Sequence, residues 1–205
     1  QYRDLLPLMI HDWRQQWGYA FPFYIVQLPN YMKAQEGPEE SDWAELREAQ
    51  KHTLRLENTG MAVTIDVGDG DDLHPKNKPE VGRRLALIAR AQTYGERIPC
   101  SGPVYDSYGI EGNTIRIRFS HTDGGLKTSD GGAVRGFYIA GADHEFHAAD
   151  AVVEGDTVVV SSKEVRFPVA VRYAWANNPV CNLYNGAGLP AGPFRTDDWA
   201  RSAKK

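Results

Sequence analysis

The strongest chemical signal in the chain is the run Ile65-Asp66-Val67-Gly68-Asp69-Gly70-Asp71-Asp72-Leu73-His74-Pro75. A carboxylate a few residues before a histidine on one loop can hold the imidazole. It fixes the tautomer and stabilises the imidazolium that forms when the ring takes a proton from a nucleophile. Asp71 and Asp72 are the candidate acids and His74 the candidate base. Two other readings fit the same residues. Asp and Gly are ordinary turn formers, so the run can be a solvated loop. Asp66, Asp69, Asp71 and Asp72 also offer hard oxygens to Ca²⁺, but the Gly and Glu spacing of an EF-hand fails from both Asp66 and Asp69.

A base of this kind needs something to activate, and no partner presents itself. There is no Gly-x-Ser-x-Gly, and the early region holds only Ser41. Ser101, Ser107, Ser120, Ser129, Ser161 and Ser162 read as surface hydroxyls of a β region. Cys100 would need surroundings that favour a thiolate, and none is visible. The other polar groups are weaker. His121-Thr122-Asp123-Gly124-Gly125 is a polar turn whose His121 is a candidate substrate contact. Trp175-Ala176-Asn177-Asn178 and Arg195-Thr196-Asp197-Asp198 suit either sugar hydrogen bonding or burial and docking. His11, His52, His144 and His147 lack evident partners, and Trp13, Trp17 and Trp43 read as core aromatics.

The elements that would position the loop follow from periodicity. Leu5, Leu6, Met9, Trp13 and Trp17 recur at helical spacing, predicting a helix over 3–17 that stops at Gly18. Residues 21–28 are short, aromatic and nearly continuous in apolarity, as in a strand buried on both faces, with Pro22 at its start. Ser41 caps a helix running to about 56, with Trp43, Leu46, Ala49 and Leu54 inward. Residues 61–65 form a second buried strand. The helix over 79–94 opens with Pro79 and carries Val81, Leu85, Ile88 and Ala89 as its apolar stripe. Strand, helix, strand is a βαβ unit with parallel strands, and the Asp/His loop then lies beyond a carboxyl end, where open α/β sheets bind ligands. Two parallel strands do not make a stable sheet. The expectation is that the missing strands come from residues N-terminal to Gln1 or from another chain.

After residue 98 the pattern changes to short alternating stretches separated by Gly, Asp and Asn. Residues 114–119, 134–140 and 168–175 are candidate strands, and 151–153 and 157–160 are joined by Glu154-Gly155-Asp156 as a hairpin. An antiparallel sandwich is expected, with the tail from 177 to 199 packed on its surface. The fold class is therefore α/β followed by all-β.

Composition narrows the function classes. The 205 residues carry 23 Lys+Arg and 27 Asp+Glu, a net charge of −4. Without a basic excess, nucleic-acid binding by bulk charge is excluded. Mean hydropathy is −0.49, and no apolar run reaches the ~18 residues of a membrane span. Trp 5, Tyr 10 and Phe 7 argue against disorder. Cys100 and Cys181 make no disulfide framework and no zinc pair, leaving one bridge or two thiols. The first residues carry charges where a signal peptide has its apolar region, and there is no initiator Met, so the chain is expected to begin inside a longer gene product.

Several stretches resemble the sialate O-acetylesterases. They are 58–66 (Asn-Thr-Gly-Met-Ala-Val-Thr-Ile-Asp), 72–78 (Asp-Leu-His-Pro-Lys-Asn-Lys), 81–86, 101–103, 171–177 (Val-Arg-Tyr-Ala-Trp-Ala-Asn), 182–185 and 193–197. Asp12-Trp13-Arg14 and Phe21-Pro22-Phe23 also fit, so the resemblance spans essentially the whole chain, as the C-terminal half of such an enzyme. It implies a serine esterase of the SGNH-hydrolase type that removes O-acetyl groups from sialic acids or related sugars, without a metal or organic cofactor. It implies His74 as the catalytic histidine. Asp-x-x-His spacing selects Asp71 as its partner, whereas the family's Asp-Ile/Leu-His-Pro wording selects Asp72. The family's serine and its oxyanion-hole Gly and Asn have no counterpart here, which implies an N-terminal half in a missing segment or a separate chain. Residues 1–97 would be the C-terminal portion of the α/β domain and 98–205 a β-sandwich-like domain. The residues alone leave the location open, and the resemblance implies a secreted, periplasmic or lysosomal setting. A non-catalytic carbohydrate-binding or scaffolding module is the alternative from another class, and a Ca²⁺-dependent hydrolase a third.

Overall fold

A computed structural model of the chain describes residues 1–34, 37–38 and 40–200. Helix α1 (Tyr2–Trp17) ends at Gly18, whose left-handed φ of 77° lets its N–H reach the Arg14 and Gln15 carbonyls. Strand β1 (Phe23–Val26) follows. Helix α2 (Asp42–His52) is capped by Ser41, whose Oγ accepts from the Ala44 N–H, and a single 3₁₀ turn, Thr53–Arg55, extends it. Strand β2 (Thr59–Ala62) lies parallel to β1, pairing Phe23 with Thr59 and Val26 with Ala62. Helix α3 (Lys78–Gln92) is capped by Asn77 and carries Pro79 in its first turn.

The βαβ unit is therefore present, but its strands are shorter than expected. The second begins and ends earlier because Val63 and Thr64 leave the ladder for other partners. The Val63 carbonyl accepts from Arg84, and the Thr64 hydroxyl donates to the Gln27 carbonyl. Nor is β1 buried on both faces: Phe23, Tyr24 and Ile25 are half-buried and Val26 is exposed. Among the described residues the parallel sheet stops at two strands. The expected inner faces of the helices also need correction. In α2 the buried residues are Ala44, Arg47, Ala49 and Gln50, while Leu54 faces solvent. In α3 they are Arg84 and Ile88. Trp13 and Trp17, expected in the core, are 47% and 72% exposed; Trp43 is half-buried and donates to the Pro29 carbonyl over 2.7 Å.

The rest of the chain is antiparallel β. Its strands are β3 (Val104–Glu111), β4 (Thr114–Ser120), β5 (Leu126–Thr128), β6 (Phe137–Ala140), β7 (Phe146–Ala148), β8 (Asp150–Glu154), β9 (Thr157–Ser161), β10 (Ala170–Tyr173), β11 (Leu183–Asn185) and β12 (Phe194–Arg195). Two four-stranded sheets, β3-β4-β9-β8 and β12-β10-β6-β7, carry most of them, and β5 pairs with β11. The hairpin expected around Glu154-Gly155-Asp156 is β8-β9. Ile115, Ile117, Val158 and Val160 meet Ile139, Val171, Tyr173 and Phe194 in one core, to which Ile65 also contributes. Alternation explains it: in β4, Ile115, Ile117 and Phe119 point in while Thr114, Arg116 and Arg118 point out. The tail is ordered as expected, but it is part of the core rather than a surface layer: β11 and β12 join the sheets, and Leu183 and Phe194 are buried in the shared core. Cys100 and Cys181 are both free thiols.

The candidate catalytic loop

The loop between β2 and α3 is held from three sides. From the first, Asn30 Oδ1 accepts the Gly68 N–H over 2.7 Å, and Asn30 Nδ2 donates to Asn178 Oδ1 over 2.9 Å. Asn178 in turn donates to the Met32 carbonyl over 2.6 Å. The backbone at Gly68 runs so close to Asn30 that a Cβ there would overlap the Asn30 carbonyl oxygen. From the second side, Asp66 forms a two-pronged pair with Arg84 of α3 over 2.6 and 2.7 Å and accepts from Tyr184 of β11 over 2.7 Å. Arg84 also reaches Glu80 over 2.7 Å and the Val63 carbonyl over 2.6 Å. Its side chain is only 5% exposed, so these bonds replace the water that a guanidinium requires. From the third side, Lys76 binds Asp69 over 3.2 Å, and the Asp69 carboxylate accepts the Asp71 N–H over 3.0 Å.

His74 stands at the top of this frame with an open side chain. Its N–H donates to Asp72 Oδ1 over 2.9 Å, and its Nδ1 lies 3.4 Å from that same oxygen. The His74 N–H holds the Asp72 carboxyl below the usual carboxylate range, with the imidazole adding to the effect. Asp71, the other candidate, makes no side-chain hydrogen bond or ion pair among the described residues. The geometry thus brings Asp72 to His74 and leaves Asp71 in solvent. With Nδ1 facing Asp72, Nε2 is free to accept a proton from a nucleophile. The carboxylates expected as a possible Ca²⁺ cluster do not converge: Asp66 faces Arg84 and Asp69 faces Lys76. Among the described residues no group of three or more His, Cys, Asp or Glu is arranged to hold a metal.

The remaining candidates lie elsewhere. His121, with φ of 55°, follows β4, and its carbonyl accepts from Asn185 over 3.0 Å. Among the described residues no hydrogen bond or ion pair joins it to the His74 loop. Burial raises the pKa of the Cys100 thiol, the reverse of what a nucleophile needs, and pushes Cys181 up to about 12. Three histidines that lacked evident partners have them: His52 accepts from Arg3 over 3.1 Å, His147 pairs with Glu164 over 2.8 Å, and His144 stacks on Trp199 at 3.7 Å. Trp175 is buried under the guanidinium groups of Arg172 and Arg195. Arg195 pairs with Glu48 and Arg172 with Asp197, so the two motifs considered for sugar contact serve docking.

Three residues that hold this region were missed in the sequence: Arg84, Tyr184 and Arg47. Arg47 is fully buried in α2 and donates to the carbonyls of Leu28, Pro29, Ala176 and Asn177. The available signal was an arginine three residues after an apolar stripe position, as Arg84 follows Val81.

No family model matches the chain. Mouse sialate O-acetylesterase is 36% identical over 120 residues, 50% of this chain and 22% of that protein. Human sialate O-acetylesterase is 28% identical over 222 aligned positions, 94% of this chain and 42% of that protein. Among solved structures, a carbohydrate acetylesterase from Xanthomonas citri superposes with a TM-score of 0.92 at 47% identity, covering 97% of this chain and 46% of that one. The chain spans less than half the length of each of these relatives. Its resemblance to the sialate O-acetylesterases holds along nearly all of its own length.

Proposed function

We propose, from this likeness to the sialate O-acetylesterases and the carbohydrate acetylesterase, that the chain is the histidine-bearing part of a serine esterase acting on O-acetylated sugars. The observation that carries the reading is the Asp72–His74 pair on a braced loop beyond the end of a parallel strand. His74 is the general base. Its Nε2 takes the proton as a serine hydroxyl attacks the acetyl carbon, and returns it to the sugar oxygen as the C–O bond breaks. Water then repeats the sequence on the acetyl-enzyme, releasing acetate. Asp72 holds the imidazole and stabilises its charged form.

The serine belongs to a part of the enzyme outside these 205 residues. None of the described serines is hydrogen-bonded to His74, and Ser41 is committed to capping α2 and to Asn177 over 2.7 Å. The oxyanion donors belong to that same part. Residues 1–97 form the end of an SGNH-type α/β domain, and 98–205 a β domain docked on it. Two observations favour this division. The parallel pair β1-β2 has no further strand among the described residues, and α1 turns Leu5, Leu8 and Trp17 to solvent, as elements do when neighbours cover them. The length of the relatives favours one longer polypeptide over a separate partner chain.

The test is hydrolysis of an O-acetylated sugar and of p-nitrophenyl acetate by the full-length protein and its His74→Ala variant. Turnover that vanishes in a folded variant supports the reading. Undiminished turnover refutes the role of His74, and glycan binding without hydrolysis by the parent protein favours a binding module.

A further inference from the structure

Strands β1 and β2 are parallel, so the segments that leave their carboxyl ends, 27–34 and 63–77, meet at the rim where open α/β sheets bind ligands. Asn178, from the turn that follows β10, stands between them. Its Oδ1 accepts from Asn30 Nδ2 over 2.9 Å, and its Nδ2 donates to the Met32 carbonyl over 2.6 Å. The chain of bonds fixes both amide orientations. Asn30 Oδ1 takes the Gly68 N–H over 2.7 Å, which turns Asn30 Nδ2 toward Asn178 and so Asn178 Nδ2 toward Met32. The His74 loop also presses on these groups. A Cβ at Gly70 would lie 2.9 Å from the Met32 carbonyl oxygen and 3.1 Å from Asn178 Nδ2.

The turn that presents Asn178 is itself held. Ala174 adopts a left-handed φ of 50°, a conformation that a Cβ disfavours, and its N–H donates to the Gly136 carbonyl over 2.8 Å. The buried Arg47 donates to the Ala176 and Asn177 carbonyls over 2.7 and 2.9 Å, and Ser41 Oγ donates to Asn177 Oδ1 over 2.7 Å. Met32, the acceptor for Asn178, is left-handed as well, at φ 73°. Backbone of this kind persists only where its surroundings fix it, and such positions gather at functional sites.

We propose that Asn178 is a positioning residue for the esterase reaction. Its Nδ2 donor sets the spacing of the two rim segments and, through Asn30, Gly68 and Gly70, the place of the His74 imidazole relative to the serine. This role presupposes His74 as the general base. A base must stand within hydrogen-bond reach of the hydroxyl it activates, and a displacement of about 1 Å can cost on the order of 10²-fold in rate. The β part of the chain thereby contributes to turnover without touching the reacting atoms.

The test compares the full-length parent with Asn178→Asp, Asn178→Ala and Val160→Ala, in hydrolysis of p-nitrophenyl acetate and in the rate of fluorophosphonate labelling. Asp matches Asn in shape and keeps the acceptor for Asn30, but it sets an oxygen against the Met32 carbonyl in place of the donor. In both Asn178 variants kcat and the labelling rate should fall about 10–100-fold, with KM within about threefold, because placement rather than binding is lost. Val160→Ala removes methyl groups from the β core, so it should lower the urea midpoint and leave kcat unchanged. The proposal is overturned by an unchanged kcat in Asn178→Asp, by a rise in KM alone, or by an equal loss of kcat in Val160→Ala. If His74→Ala is inactive in the same assay, any of these results leaves the esterase reading standing. Undiminished turnover in His74→Ala overturns both.

Discussion

The hydroxyl of Tyr184 donates to Oδ2 of Asp66 over 2.7 Å, joining residues 118 apart in sequence. The same carboxylate is gripped by Arg84, so one acid ties β11, the loop after β2 and helix α3 together. The Arg84 and Asp66 side chains are 5% and 16% exposed. Removing one partner takes the two-pronged pair from the other, leaving Arg84 with Glu80 and the Val63 carbonyl, or Asp66 with Tyr184, at a cost of about 1.5–3 kcal/mol. Arg84→Met and Asp66→Asn should each lower stability by that order in denaturant unfolding. Tyr184→Phe loses one hydrogen bond and should cost about 1–2 kcal/mol. An effect under half a kcal/mol for Arg84→Met would remove this pair from its bracing role.

Gly68 is a steric requirement of the loop. A Cβ there would collide with the backbone carbonyl and the side-chain amide of Asn30, so one of them would have to move. Gly68→Ala should therefore disturb the loop more than Gly82→Ala, where a Cβ meets nothing. Hydrogen exchange at 66–76 is the measurement: faster exchange is expected in the first variant only. Asn178→Ala, which frees Asn30 from its partner, should produce a milder form of the same change.

The two aspartates before His74 are separable. Asp72→Asn should reduce turnover of the full-length protein by about 10³–10⁴-fold, the scale seen when the acid that orients a catalytic histidine is neutralised. Asp71→Asn should leave kcat within a few-fold, because its carboxylate points to solvent. The reverse order in steady-state kinetics would transfer the orienting role to Asp71.

Acid stability should carry the mark of Glu80. The hydrogen bond from Arg83, aided by Arg84 and opposed by burial, draws its carboxyl from 4.5 to about 2. A carboxyl whose pKa is lower in the folded state binds fewer protons there than in the unfolded chain. Its contribution is thus fully present above pH 4.5 and is lost as the pH falls toward 2. Urea unfolding of the parent and of Glu80→Gln should differ at pH 7 and converge as the pH approaches 2. A gap that persists there would contradict the assignment.

The parts of the fold that were legible in the sequence are those where one period dominates. The alternation of Thr114–Phe119, the turn at Glu154-Gly155-Asp156 and the Ser41 cap all appear as read. The short strands β5 and β7 were missed because three residues hold too little pattern. Strand β3 was missed because Tyr105-Asp106-Ser107 carries a bulge that breaks its alternation. Trp13 and Trp17 were misplaced because helical spacing gives an apolar face without saying what covers it. At the site, the Asp-to-His spacing pointed to the loop and to the chemistry proposed for it. It did not reveal that Asp72, rather than Asp71, meets the imidazole. That depends on the Asp69–Asp72 turn, with its 3.3 Å backbone hydrogen bond, and on long-range anchors at Asn30, Arg84 and Tyr184.

The most direct test of the esterase account is fluorophosphonate labelling of the full-length protein, with the modified peptide mapped by mass spectrometry. The account predicts one labelled serine, outside the 205 residues described by this sequence, and loss of that label in His74→Ala. A label on a serine within these residues, or labelling undiminished without His74, would contradict it.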